Sequence, residues 1–439
     1  MYFRVKHKRL IRKLYKPEMP DTLPSDPHGV LALDYLRAFI AVAKAGSVVR
    51  GAESVYKAPS AVTRSLLELE RMLGPALFER KPRGMLINDY GDAVLLRSLR
   101  IQDEVNAAVD EFSRSSTPST SLRNALVSLL FNGRKLQLLI YLSDHRNISA
   151  AATQLGMSQA GASMSLSRIE GALGQALFQR MLQGMVATDA AAKLVIRAKR
   201  IFSELRHMEA DIAAISGNLA GSVAIGTLPL GRTFVVPTGI AKALALHPGL
   251  RVVTIESHYE QLIGNLRSGD IDVVFGALRS RDVSQGLISE PLFEDRMGII
   301  ARAGHPFTRH NSLALSDLLS EKWILPRPNA PGRRLVDVSF QELGLQAPVP
   351  SVETGDLAML RQLLISSDML TAISPHQLLF EIESGTLTEL PVRIGATTRS
   401  IGFTMREGSV MSPATMAVLD AIREQAKALA NGAMHNSIP

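Results

Sequence analysis

The apolar positions of this chain change their period along its length, and the changes mark its parts. Leu36, Phe39, Ile40, Val42 and Ala43 share one helical face, and Gly46-Ser47 ends that helix and starts the next. A short helix over about 48–55 follows, then a third from Pro59 to about Leu73, where a proline suits the first turn. Two short helices joined by a tight turn form the helix-turn-helix plan. After Gly74 come the apolar Ala76, Leu77 and Phe78, the basic "RKPRG" and then "MLIND", which predict a strand, a loop and a second strand: a wing. A long amphipathic helix is expected over about 92–114. The order then recurs: Asn147 as a cap, "ISAAATQLG" as the second helix, Ser158 capping the third, "SQAGASMSLSRIEGAL", and another long helix over about 190–215. From residue 222 short apolar runs alternate with helices. "VAIGTL", "RVVTIES" and "DVVFGAL" are strands, and "FVVPTGIAKALALHP" and "YEQLIGNLRSG" are the helices between them, as parallel βαβ units require. "RMGIIARAGHP" opens a second α/β lobe, "SVETG" and "LTAISP" continue it, and "IGFTMREG" returns to the first.

The recurrence is a duplication. Laid without a gap over 165–189, residues 65–89 match at twelve of 25 positions, among them Glu70/Glu170, Gly74/Gly174, Leu77/Leu177, Phe78/Phe178, Arg80/Arg180 and Gly84/Gly184. The register continues through Ala52/Ala152, Arg97/Arg197, Arg100/Arg200 and Ile101/Ile201, so the copied unit is about seventy residues, a small domain. "SSTPSTS" at 115–121, broken by Pro118, reads as a flexible joint between the copies, and "SGNLAG" at 216–221 as another before the α/β half.

A helix that enters the major groove needs small or hydrogen-bonding side chains at its exposed start, with flanking groups on phosphates. Ser60, Thr63 and Arg64 supply these in the first copy, and Ser158, Gln159, Ser163 and Ser167, with Arg168 beside them, in the second. The wings add Arg80, Lys81 and Arg83 in the first copy and Arg180 in the second, where Met181 and Gln183 stand at the other two positions. Gly74, Leu77 and Phe78 are expected to pack the wing under the helix and not to touch DNA.

The run "LE..LG..LF.R", at Leu69 to Arg80 and again at 169–180 with Ile169 for the leucine, resembles the DNA-binding domain of LysR-type transcriptional regulators. The resemblance covers 33 to about 430. It implies two winged helix-turn-helix domains of all-α type with linker helices, where family members normally carry one, then a two-lobed α/β domain similar to periplasmic solute-binding proteins. The expected boundaries are a basic tail at 1–32, winged helices at 33–91 and 122–189, linkers at 92–121 and 190–220, and an effector domain at 221–432, with lobe I at 221–292 and 393–432 and lobe II at 293–392. Each copy departs from the family's recognition helix: "APS" replaces "SQP" in the first, and Met164 takes the arginine position in the second. One copy serving only as a packing or dimerisation module is the alternative reading. The family's linker helix pairs two chains, and the apolar spacing here permits that.

Ligands of open α/β sheets sit at the carboxyl ends of strands, beside helix N-termini that favour anions. Those ends carry Thr227, Pro229 and Arg232, then Ser257, His258 and Tyr259, then Thr354 and Ser374. In the family the effector is often an aromatic or other organic acid held near such positions. Arg232 is suited to a bidentate carboxylate contact, or else is a solvated surface arginine; His258 fits a hinge as well as a ligand contact. "WILPRPNAPGRR" resembles regulators tied to aromatic or sugar catabolism.

Composition narrows the rest. The net charge of +8 makes a polyanion a natural partner, and the first twenty residues hold seven Lys or Arg (Arg4, Lys6, Lys8, Arg9, Arg12, Lys13, Lys16) against one Glu. They read as a solvated tail or an arm on phosphates. The absence of cysteine removes disulfides, thiolate metal sites and thiol nucleophiles, and there is no Gly-rich phosphate loop, GxSxG or HExxH. No enzyme, catalytic residue, metal or cofactor is therefore expected. The expected partners are promoter operator DNA, a small carboxylate effector, a second chain in a homodimer or homotetramer, and RNA polymerase. No membrane span or secretory signal is legible, which gives a cytoplasmic expectation.

Overall fold

A computed structural model describes residues 27–81, 84–115, 120–279, 285–328, 330–395 and 397–431. They divide into two compact units. One holds the described residues up to Ser222 with Arg267–Asp270 and Ser412–Ala414; the other holds Val223–Leu266, Ile271–Met411 and the described residues from Thr415. The basic residues of the first twenty positions lie outside the described residues, as do Arg83 and positions 116–119 of the expected joint.

The first unit repeats one order of elements. Helices α1 (Pro27–Ala45), α2 (Val48–Ser54) and α3 (Pro59–Leu73) lead into a hairpin of β1 (Phe78–Lys81) and β2 (Gly84–Ile87), and α4 (Asp89–Ser115) follows. After α5 (Thr120–Leu130) the order recurs as α6 (Gly133–His145), α7 (Ile148–Gln154), α8 (Gln159–Leu173), β3 (Phe178–Met181), β4 (Gly184–Ala187) and α9 (Asp189–Ile215). The second copy's caps form as its sequence expects. The Asn147 side chain accepts from the amides of Ser149 and Ala150 at 2.9 and 3.2 Å, and the Ser158 hydroxyl from that of Gly161 at 3.1 Å. In the first copy Ala58 and Pro59 open the third helix with no side-chain cap.

The hairpins run in matching registers, Arg80 opposite Met85 and Arg180 opposite Met185. The first strand starts at Phe78 and not at Ala76, so Arg80 and Lys81 stand on a strand and not in the loop where the sequence placed them. The Glu70 carboxylate accepts from the Leu77 amide at 2.8 Å just before the strand; Glu170 takes the Leu177 and Phe178 amides at 2.7 and 3.1 Å. A second pin explains why a glycine opens each returning strand. Met85 donates its amide to the Gly46 carbonyl and Met185 donates to that of Arg146, and a Cβ on Gly84 or Gly184 would lie 2.7 or 2.3 Å from those oxygens.

The two copies are not beads on a joint. One continuous apolar core takes in Leu36, Phe39 and Leu69 of the first copy, Leu136, Leu139 and Ile169 of the second, and both long helices. Helix α4 packs along α9, and α1 packs on α6. The linker helices thus pair with each other inside one chain, where the resemblance implied pairing between two chains. Among the described residues no single helix is long and apolar enough to cross a membrane; the apolar pair α5 and α6 is bent by 84° and turns Leu129, Leu130, Leu136 and Leu139 into this core.

The second unit contains two five-stranded sheets. One has the order β6 (Gly249–Glu256), β5 (Ala220–Thr227), β7 (Val273–Ala277), β14 (Arg399–Arg406), β8 (Leu287–Asp295), with β5 parallel to β7 and β14 antiparallel to β7 and β8. The other has the order β11 (Val352–Glu353), β10 (Trp323–Leu325), β12 (Leu370–Ile373), β9 (Gly298–Arg302), β13 (Leu387–Glu389). Helices α10 (Val235–Leu246), α11 (Tyr259–Ser268), α12 (Pro331–Gln341), α13 (Leu357–Ser366), α14 (Leu379–Glu383) and α15 (Pro413–Ala430) complete the alternation. Strand β8, absent from the sequence reading, keeps the chain in the first sheet through Asp295, which lies opposite Arg399.

Candidate DNA-facing surfaces and effector site

Each third helix buries one face and leaves the opposite one open. In α3 Val62, Leu66 and Leu69 go into the core while Ser60 and Arg64 are exposed and Thr63 is half-buried; in α8 Ala162, Leu166 and Ile169 are buried while Ser158, Gln159, Ser167 and Arg168 are exposed and Ser163 is half-buried. Two of these hydroxyls are already engaged. Thr63 donates to the Pro59 carbonyl at 3.0 Å, and Ser158 is occupied as the cap of α8. On the wings Lys81 is exposed and pairs with Glu79 at 3.0 Å, and Arg180 is exposed.

The copies differ most where they face outward. Met164 stands where Arg64 does, and Met181 and Leu182 stand on the second wing, all exposed. A residue the sequence reading passed over, Tyr56, lies in the helix-turn-helix turn at 97% exposure with φ of 54°, where the second copy has Gly156. A bulky residue in the left-handed region costs about 1–2 kcal/mol, so glycine is the residue local stability favours there. The sequence signal was available: an aromatic residue where the duplicate has a glycine.

In the second unit two candidates meet. Thr227 ends β5 and is 2% exposed, and its hydroxyl has no hydrogen-bond partner. Arg232, at the end of the 3-10 turn Pro229–Arg232, donates twice to the Thr227 carbonyl, at 3.2 and 2.9 Å. Burial holds its guanidinium below the ordinary value, with Glu256 pulling the other way. The neighbouring Thr233 hydroxyl reaches the His376 carbonyl at 3.4 Å, which brings the end of β5 to the 3-10 turn Pro375–Leu378 after β12.

At that turn lies a cluster the sequence did not suggest. The Ser374 hydroxyl and His376 Nδ1 both engage Asp295 Oδ1, at 2.5 and 3.0 Å, and Arg399 donates to Asp295 Oδ2 at 3.0 and 2.9 Å. Burial pushes the Asp295 carboxyl up, but the bonds from His376, Ser374 and Arg399 outweigh it and leave the group below its ordinary value. Ser374, offered above as a ligand contact, is fully buried and committed to Asp295. Tyr259 is half-buried under Arg279, whose guanidinium lies 4.7 Å from the ring centre, while Pro229 and His258 are exposed and Ser257 half-buried. Thr354 is buried, and its hydroxyl accepts from the Asp356 amide at 3.1 Å as α13 begins. Among the described residues no group of three or more His, Cys, Asp or Glu is placed to hold a metal ion.

Helix-turn-helix elements joined to an α/β domain with a polar site at its strand ends define a regulator class, and comparison with known proteins agrees. The family described as "LysR substrate binding domain" matches residues 216–427, and "Bacterial regulatory helix-turn-helix protein, lysR family" matches 33–92 and again 134–192. The chain is 41% identical over 389 residues to the HTH-type transcriptional regulator GalR of Pseudomonas putida, covering 89% of this chain and 96% of that protein. It is 28% identical over 243 residues to GbpR of Rhizobium radiobacter, covering 54% of this chain and 80% of that one, and 26% identical over 259 residues to CfxR of Cupriavidus necator, covering 59% and 80%. The chain belongs to the LysR family: it is a DNA-binding transcriptional regulator with a ligand-binding domain, and not an enzyme.

Proposed function

We propose that both helix-turn-helix copies bind promoter DNA, through Arg64 and Lys81 in the first and Gln159, Ser167, Arg168 and Arg180 in the second, and that a small organic or aromatic carboxylate at Thr227 and Arg232 controls that binding. The effector half rests on one observation: a buried, unpartnered Thr227 hydroxyl beside a partly desolvated arginine that makes no ion pair among the described residues. A carboxylate would give that guanidinium a charged acceptor and the hydroxyl a partner, the pairing that stabilises both. The resemblance of the two lobes to solute-binding proteins supports a ligand held between them, and RNA polymerase is the proposed downstream partner. A screen of small carboxylates by thermal shift tests the site, because a ligand specific for the folded state raises the melting temperature. Arg232→Ala should abolish the shift while leaving DNA affinity without ligand nearly intact; equal shifts in variant and wild type sink the assignment.

A second reading, in which the second copy is only a packing module, is favoured by the exposed Met164, Met181 and Leu182. Gln159→Ala decides between them: if that copy reads bases, operator affinity falls by about 1–3 kcal/mol and sequence preference relaxes; if it only packs, the footprint is unchanged.

A further inference from the structure

We propose that a single chain is itself the two-fold DNA-reading unit: its two copies pair with each other as two chains of a homodimer would, and one chain occupies one bipartite site whose halves are chemically unlike. The second clause rests on the reading that both copies bind DNA; the first does not.

The pairing obeys the rule of a two-fold interface, in which residue i meets j and j meets i. Arg97 of α4 is 1% exposed and bonds to Glu204 and Asp211 of α9, with Nη1 to Glu204 Oε2 at 3.0 Å and Nε to Asp211 Oδ2 at 2.6 Å. Arg197 of α9 bonds to Glu104 and Glu111 of α4, with Nη1 to Glu104 Oε2 at 2.7 Å and Nη2 to Glu111 Oε2 at 3.3 Å. Each partner of one set stands one hundred residues from its counterpart in the other. The outer pairs follow suit, Arg100 with Glu204 at 2.8 Å and Arg200 with Glu104 at 3.5 Å. So does the apolar seam: Val94, Ile101, Val105, Ala108 and Phe112 of α4 match Leu194, Ile201, Leu205, Met208 and Ile212 of α9, all buried in the shared core. The Tyr90 hydroxyl at the start of α4 meets Ser216 just past the end of α9 at 3.2 Å, so the helices run antiparallel, as two-fold symmetry requires.

One contact belongs to unlike copies alone. At the α1 and α6 packing, Asp34 lies within electrostatic reach of Arg134 and Lys135, and Arg134 is its own counterpart in the second copy. A true homodimer sets such a position against itself, like charge on like. Here the two sides have become an acid and a base, a complement that only two different sequences can make. Because α4 and α9 bury their seams on each other, that face is spent within the chain. Freed from a palindrome, the halves can differ, and they do: Arg64 and Lys81 in one, Met164 and Met181 in the other.

The test uses the absence of cysteine from the chain. Ile101→Cys with Ile201→Cys places one thiol on each helix near the centre of the seam. In the oxidised full-length double variant the expected product is a disulfide within one chain, running at monomer mass on a denaturing non-reducing gel, with no cross-link in either single variant. A product of twice the monomer mass, in the double or a single variant, overturns the pairing; so does no cross-link in a double variant that melts like wild type. The cross-linked protein is then titrated against a duplex selected by the wild-type chain from a randomised pool. One chain per duplex is expected, with affinity lowered roughly tenfold or more when either half of the footprint is randomised. Indifference to the second half, with the cross-link intact, overturns the reading that both copies bind DNA and leaves the pairing standing.

Discussion

Glu70 and Glu170 show what a repeated residue can and cannot say. They stood out only as matching positions at an offset of one hundred, and their task, accepting the amides that begin each wing, follows only from a helix end and a strand start brought together in the fold. Glu170→Ala should cost about 1–3 kcal/mol by leaving two partly buried amides unpaired, and Glu170→Gln less, because the amide oxygen still accepts. Denaturant midpoints of the two variants check this, and equal losses would mean that bulk, not acceptance, matters. Asp295 was not legible at all, since its partners Ser374, His376 and Arg399 come from distant stretches of chain. Its carboxyl is held below the ordinary value in the fold, so it contributes stability that is present above the unfolded value of about 3.9 and is lost as pH falls through the folded one. Wild type should therefore out-melt Asp295→Asn at pH 7 and pH 5, and its advantage should shrink below about pH 4. A gap constant down to pH 3 would assign the loss to packing. Thr227 and Arg232 were readable from the rule that ligands sit at strand ends, while the bond that ties Arg232 to the Thr227 carbonyl was not.

At the scale of elements the periodicity located the three helices and the hairpin of the first copy, the second and third helices of the second copy and both long helices, because an amphipathic stripe and its caps are local properties. The partner of a stripe is not local. Spacing in α4 and α9 announced a helix-pairing face without saying whether its mate was in the same chain, and the answer lay in charges paired across about a hundred residues of sequence, Arg97 with Glu204 and Arg197 with Glu104. Strand β8 escaped notice for a similar reason: "LISEPLFED" carries a proline and three acids, and only its place beside β14 makes it a strand. The buried ion pairs give the helix pairing a sharp signature. Arg97→Ala takes from Asp211 its buried arginine partner and from Glu204 one of its two, and should cost about 3–5 kcal/mol, whereas removing Arg97 and Glu204 together should cost less than the sum of the two single changes. Additive losses in a double-mutant cycle would show that the two side chains do not depend on each other.

For the whole molecule the decisive quantity is how charge is shared between the two helix-turn-helix copies. The chain carries a net +8, but the described surface spends it unevenly: Arg64 and Lys81 stand exposed on the first copy where the second shows Met164 and Met181. Each phosphate neutralised by a lysine or arginine releases counterions, so affinity falls with salt at a slope of about 0.9 per contact. Lys81→Ala should therefore flatten the slope by about one, even though Lys81 pairs with Glu79 in the free protein, because that pair is exposed and worth little. Met181→Lys should steepen it by a similar amount if the second wing lies against the backbone as the first does. Arg64→Ala should act differently, weakening binding by about 1–3 kcal/mol and relaxing sequence preference in one half of the footprint while the other half keeps its own. Anisotropy titrations over a range of potassium chloride, on a duplex and on versions randomised in either half, separate these effects. A Met181→Lys slope identical to wild type would place the second wing away from the phosphates, and relaxation of both halves by Arg64→Ala would mean that the two copies do not read separate stretches of DNA.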